Sequence, residues 1–153
     1  MKFEKKYIIP LLFVAALLWY PFTQGDSNTS IEQMQEAISP AIENGRYQAL
    51  DEKQLRKYFN IHAEETAGFL AYRSTDAMSA ETLVILRLRQ QEDADALIEK
   101  LQEYIENEHK KYDGYSADQV GILDNYTMVE KKGYIFLSIS KHHEWKQIFE
   151  KNL

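Results

Sequence analysis

The sequence predicts an α+β domain behind an N-terminal membrane helix: a four-stranded antiparallel sheet with helices packed on one face. Three observations lead there. Four short segments alternate apolar and polar residues at the period of a strand and fall into two hairpins. The segments between and after them carry apolar residues at helical spacing. An unbroken apolar run stands before all of them. From residue 50 onward the order reads helix, strand, strand, helix, short helix, strand, strand, helix. The two hairpin-then-helix units share a pattern and almost no residues, so they are not an internal repeat.

The apolar run comes first along the chain. Lys2, Lys5 and Lys6, against Glu4 alone, precede sixteen residues from Tyr7 to Phe22. Lysines stay on the cytoplasmic side of a bilayer, so this layout puts the N-terminus inside and the rest outside. As a helix the run spans roughly 24 Å, somewhat short of the ~30 Å hydrocarbon core. Three readings compete: a retained anchor, a cleaved signal peptide and a buried core helix. Thr23 and Gly25 match a small-residue cleavage site weakly. Pro10 and Pro21 disfavour a core helix, because proline removes a helical hydrogen bond. The expectation is a single-pass signal anchor in the cell membrane, with residues 1–25 as that segment, 26–49 as linker and tether helix, and 50–153 as an extracytoplasmic domain.

Within the tether, Ser30 and Gln33 are spaced as a capping box, Met34, Ala37 and Ile38 share one helix face, and Pro40 then Asn44-Gly45 end it. Asp51 and Gln54 form a second capping box ahead of Leu55, Tyr58 and Phe59, and Asn60 closes that helix. Phe69–Arg73 and Leu83–Arg89 read as strands joined by a turn that starts at Ser74-Thr75-Asp76. The longest helix follows. Glu92 and Asp93 sit at its positive end and Lys110 and Lys111 at its negative end, as the macrodipole favours. Asp113-Gly114 stops it, and Ser116 with Gln119 is spaced to cap a short helix. Tyr126–Glu130 and Tyr134–Ser140 form a hairpin around Lys131-Lys132-Gly133. A last helix over His142–Lys151 buries Trp145, Ile148 and Phe149.

Composition removes several function classes. The chain has 18 Lys+Arg and 24 Asp+Glu; residues 1–25 hold 3 and 1 of these, which leaves 15 against 23 beyond them, a net −8. An acidic domain is a poor partner for phosphate backbones, so nucleic acid is not an expected partner, and electrostatic docking to an anionic lipid surface is disfavoured as well. With no cysteine there is no disulfide framework, no thiolate metal site and no lipid-modified cysteine.

The pieces Leu50-Asp51-Glu52 through Tyr58-Phe59-Asn60-Ile61, Leu83-Val84-Ile85, Lys110-Lys111-Tyr112-Asp113-Gly114-Tyr115 and Lys132-Gly133-Tyr134-Ile135-Phe136 carry a resemblance. Over Leu50–Leu153 the chain resembles the bacterial family called domain of unknown function 4358. The resemblance implies a surface-anchored protein of Gram-positive type, in which many members are held by a lipid-modified cysteine. This chain departs there, so its anchoring falls to the apolar helix. The resemblance implies no activity and no catalytic residues.

Chemical constellations are few. His62 with Glu64 and Glu65 has the residue types of a zinc site or an acid–base pair, but is more simply a polar loop. His142-His143-Glu144 are adjacent, so the two imidazoles diverge and read as polarity at a helix start. No HExxH, GxSxG, phosphate-cradling glycine loop or dinucleotide fingerprint occurs. No catalytic, metal or cofactor residue is therefore expected. The excess of tyrosine, ten residues, fits half-buried sheet faces. If Ile135, Leu137 and Ile139 face the core, Tyr134 and Phe136 face outward, with Arg87 and Arg89 beside them on the neighbouring strand. That face is the expected partner-binding surface. The helix around Ser30–Ile42 would turn it into core by covering it. The expected function is a non-enzymatic, membrane-tethered binding or accessory domain for an envelope protein or wall component. The alternative is an envelope hydrolase using His62 and nearby carboxylates.

Overall fold

The helices begin and end where short-range chemistry directs. The computed structural model describes residues 25–43 and 45–153. Lys2, Lys5, Lys6, the run Tyr7–Phe22 and Asn44 lie outside the described residues. Ser30 Oγ accepts the Gln33 N–H at 3.2 Å and Gln33 Oε1 accepts the Ser30 N–H at 2.8 Å, opening α1 (Ile31–Ile38). Pro40 sits in the single tight turn Ser39–Ala41 that ends it. Asp51 and Gln54 repeat the reciprocal cap for α2 (Glu52–Phe59), and Asn60 closes α2 in the left-handed region at φ 54°. The long helix is α3 (Ala94–Tyr112), the short one α4 (Ala117–Asp124), and the last is α5 (Glu144–Lys151). Ser116 precedes α4 without a side-chain cap. Its expected partner Gln119 instead accepts the Ala80 N–H at 2.7 Å, which ties α4 to the loop before a central strand.

The sheet has five antiparallel strands, not four: β1 (Tyr47–Ala49), β2 (Gly68–Ser74), β3 (Thr82–Arg87), β4 (Thr127–Lys131) and β5 (Tyr134–Ile139), in the order β1-β2-β3-β5-β4. The added strand β1 pairs Tyr47 with Ser74 and Ala49 with Tyr72. Three residues are too short to show an alternation, so nothing in residues 26–49 announced it. β3 and β5 occupy the middle, joined by a register that sets Val84 opposite Leu137 and Ile85 opposite Phe136. The β4–β5 turn takes positive φ at both Lys132 (50°) and Gly133 (79°), the twist that matches a two-residue hairpin.

A second correction concerns the helices: they cover both faces of the sheet. Val84, Leu86, Ile135, Leu137 and Ile139 meet Leu55 and Phe59 of α2, Leu97, Leu101 and Tyr104 of α3, and Ile122 and Leu123 of α4. Leu83, Ile85, Tyr134 and Phe136 meet Met34 and Ile38 of α1 and Trp145 and Phe149 of α5. β5 is buried along its whole length. Strands covered on both faces read as near-continuous apolar stretches, which is how Leu83–Leu88 and Tyr134–Leu137 read. In the second layer Phe149 stacks on Phe136 at 4.8 Å and Trp145 Nε1 donates to the Ala41 carbonyl at 3.2 Å. In the first, Arg73 is accommodated between the Tyr58 ring (4.2 Å) and Glu108 (3.4 Å), while the Thr82 and Tyr104 hydroxyls share a buried bond of 3.0 Å.

The strands define two ends. Gly68, Arg87, Lys131 and Tyr134 lie at the proximal end, where residues 25–30 come in; Ser74, Thr82, Thr127 and Ile139 lie at the distal end. The expected tether is bonded down. Ser27 N–H donates to the Lys132 carbonyl at 2.8 Å, Ser27 Oγ donates to the Leu153 carbonyl at 3.1 Å, and the Tyr134 hydroxyl donates to the Thr29 carbonyl at 2.6 Å.

Because Phe136 is fully enclosed, Phe136→Ala is expected to cost about 3–5 kcal/mol, as for other buried aromatic truncations. Urea unfolding of the two proteins measures it; a loss under about 0.5 kcal/mol, the size typical of surface changes, would contradict a covered second face.

Candidate functional site

The residues expected to form an open aromatic face are placed otherwise. Tyr134 and Phe136 are 0% exposed beneath α1 and α5. The Arg87 guanidinium lies 5.8 Å from the Tyr134 ring centre, at the margin of this layer. Arg89 falls beyond the end of β3, and its Nε donates to the Thr66 carbonyl at 3.0 Å. That surface is interior because α1 (Ile31–Ile38) and α5 lie over it.

His62 is half-buried at the turn after α2, where its backbone N–H donates to Glu65 Oε1 at 2.9 Å. The Glu65 carboxylate is in turn paired with Lys100 of α3. Burial alone would raise the Glu65 carboxyl, but the Lys100 ammonium and the His62 N–H together hold it below the usual glutamate range. Glu65 thus clips the turn to α3. Among the described residues no group of three His, Asp or Glu side chains is placed to hold a metal ion. His142 stacks on Trp145 at 4.9 Å, with its Nδ1 3.5 Å from Glu144, whereas His143 lines a separate cleft.

The distal end differs in character. Among the described residues, the exposed large apolar side chains are Met78 (48%), Tyr115 (70%) and Tyr126 (39%), and all three lie there. Met78 is in the β2–β3 loop, Tyr115 joins α3 to α4, and Tyr126 joins α4 to β4. Two clefts of about 440 and 420 Å³ open at the same end and share Ile122 and Lys141. Arg46, Asp76, Glu81 and Gln119 line the first; Asp118, Asn125, Ser140 and His143 line the second. Loop hydrogen bonds shape the rim. Met78 N–H donates to Asp76 Oδ1 at 2.9 Å, Thr75 Oγ1 donates to the Gly45 carbonyl at 2.8 Å, and Ser140 Oγ accepts the His142 N–H at 2.8 Å.

Charge in the first cleft centres on Glu81, whose side chain is 8% exposed and lies 3.1 Å from Arg46 Nη2. Its hydrogen bond and charge raise the Arg46 guanidinium further above its ordinary value. Burial first, and then the Glu81 charge, push the neighbouring Tyr47 hydroxyl well above the normal phenol value, so it stays protonated. Among the described residues that buried hydroxyl makes no hydrogen bond of ordinary geometry, although the Glu81 carboxylate is near enough to add to the upward push. Lys141 makes no ion pair among the described residues. The two clefts offer the Lys141 ammonium, unpaired among the described residues, with the side-chain amides of Gln119 and Asn125, which suits recognition by hydrogen bonds. Sequence patterns missed the site because its apolar members stand singly in loops. The usable signal was an aromatic placed directly after a helix stop, as in Asp113-Gly114-Tyr115 and Asn125-Tyr126.

The family model described as Domain of unknown function (DUF4358) matches residues 40–140, about two-thirds of the chain, in line with the resemblance carried by Leu50–Ile61, Leu83–Ile85 and Lys132–Phe136. The matched span holds all five strands and α2 to α4, and stops short of α1 and α5. No curated relative and no solved structure matches the chain.

Two outcomes follow from these side chains. Glu65→Gln is expected to lower stability by up to about 1 kcal/mol near pH 7, discounted because the pair is partly exposed. The folded carboxyl is depressed, so its contribution is present above the unfolded value of about 4.3 and disappears as pH falls through the lower folded value. Unfolding curves of both proteins at neutral and acid pH should therefore converge in acid. Tyr47→Phe removes an unbonded buried hydroxyl, so thermal unfolding should show stability unchanged or raised by about 1 kcal/mol; a clear loss would show that the hydroxyl has a partner.

Proposed function

We propose that this chain, which belongs to the family described as Domain of unknown function (DUF4358), is a membrane-tethered extracytoplasmic accessory domain that engages an envelope protein through its distal end. The observation that carries this reading is that Met78, Tyr115 and Tyr126, the exposed large apolar side chains among the described residues, all lie at the distal end, where the two adjoining clefts also open. Tyrosine and methionine are the side chains protein interfaces favour: tyrosine joins a flat apolar body to a polar tip, and methionine adapts its shape. The clefts supply polar groups at the rim, including Lys141 and Gln119. Lysines ahead of the apolar run Tyr7–Phe22 support the tether and its orientation, with the N-terminus cytoplasmic. The net −8 beyond residue 25 weighs against nucleic acid as the partner. Among the described residues no helix is long and apolar enough to cross a membrane, so tethering rests on the run itself.

The test uses intact cells carrying the full chain with a photo-crosslinking residue at position 115 or, as a control on the solvated face of α3, at position 102. Position 115 should give a discrete protein adduct in the membrane fraction and position 102 should not. Adding Met78→Ala and Tyr126→Ala should reduce the adduct at least several-fold in a domain that still unfolds cooperatively. Equal adducts at 115 and 102, or an adduct that survives both substitutions, would sink the distal end as the partner surface.

A further inference from the structure

The proximal end has a chemistry of its own, apart from the proposed partner surface at the distal end. Residues 26–30 are held there by three separate parts of the fold: the β4–β5 turn, the C-terminal residues and Tyr134. Lys132 Nζ also donates to the Leu153 carbonyl at 3.2 Å, so turn and C-terminal residues are joined to each other. The approach is close. A side-chain carbon added at Gly133 would lie 3.0 Å from Asp26 Oδ1. The chain therefore leaves the fold at a fixed place, beside the hairpin tip.

Phe22, the last residue of the apolar run, is three residues before Gly25. Three residues reach at most roughly 11 Å. The headgroup layer of one leaflet is about 5–8 Å deep, taking half the difference between the full bilayer and its hydrocarbon core. We propose that the proximal end of the domain sits on the phosphodiester headgroups of the bilayer that holds its own anchor, with Lys131, Lys132 and Lys151 facing the lipid phosphates. This rests on the reading of Tyr7–Phe22 as a membrane anchor. All three lysines are exposed, and an ammonium on a flexible stem suits phosphate oxygens. Asp26, Glu32 and Glu130 share this end and are exposed too, so the local field is weak. The covalent leash supplies the local concentration that a domain of net −8 would not achieve by free docking. The strands then act as a spacer: the seven residues of β2 hold the distal end roughly 20 Å farther from the lipid.

The chain has no cysteine, so one introduced cysteine labels one place. The full chain carrying Lys132→Cys, Lys131→Cys or Met78→Cys is given a fluorophore and reconstituted in phosphatidylcholine–phosphatidylglycerol vesicles containing a lipid with a headgroup spin label. Quenching at positions 131 and 132 should exceed that at position 78 at least threefold. Equal quenching at all three positions, in chains that float with the vesicles, overturns the seat while leaving the anchor intact. A chain that fails to float with vesicles overturns the anchor reading and the seat with it.

Discussion

Everything else in this fold depends on the two central strands being apolar on both sides. Leu83, Ile85, Tyr134 and Phe136 face one way and Val84, Leu86, Ile135 and Leu137 the other, and all eight are enclosed. Enclosing a side chain of the size of Phe136, Phe149 or Trp145 contributes about 2–3 kcal/mol each. Those three together rival the whole net stability of a typical domain, about 5–15 kcal/mol. A sheet covered on one face would leave that contribution unmade, so a second helical layer is obligatory. α1 and α5 are the helices left to provide it, one from each extremity of the described chain.

That requirement fixes the placement of the termini. α1 lies over Tyr134 and Phe136, so residues 26–30 must pass the proximal end to reach it. α5 crosses the same face and delivers Asn152 and Leu153 to the same place. The proximal end is thus taken up by the chain's own backbone, with its polar groups bonded to one another. At the distal end the covering layers stop: Met78, Tyr115 and Tyr126 lie outside both cores. One packing constraint therefore separates an end closed by the chain's own segments from one that keeps aromatic side chains exposed.

Much of the local structure was legible because its causes are local. The Ser30–Gln33 and Asp51–Gln54 boxes form as spaced, Asn60 adopts the left-handed cap, and Lys110 and Lys111 complete the last turn of α3. Each of these is decided within four residues of chain. Ser116 with Gln119 had the same spacing and did not form a box, because Gln119 bonds Ala80, thirty-nine residues away. β1 was illegible for a related reason: Tyr47, Gln48 and Ala49 become a strand through pairing with β2, and three residues hold no pattern of their own. The candidate site was the least legible. Tyr115 and Tyr126 stand directly after helix stops, a weak local mark, and their exposure is set by the distant segments that leave them uncovered.

The sequence by itself determined the α+β class, the hairpin pairs, the Ser30 and Asp51 helix caps, the family and an acidic domain behind a lysine-flanked apolar run, since these follow from residue type and short spacings. The tertiary structure decided the fifth strand, the second helical layer and which aromatic residues meet solvent. Alternation along a strand tells which residues share a face; what covers that face is settled by distant segments, here α1 and α5, competing to exclude water from it.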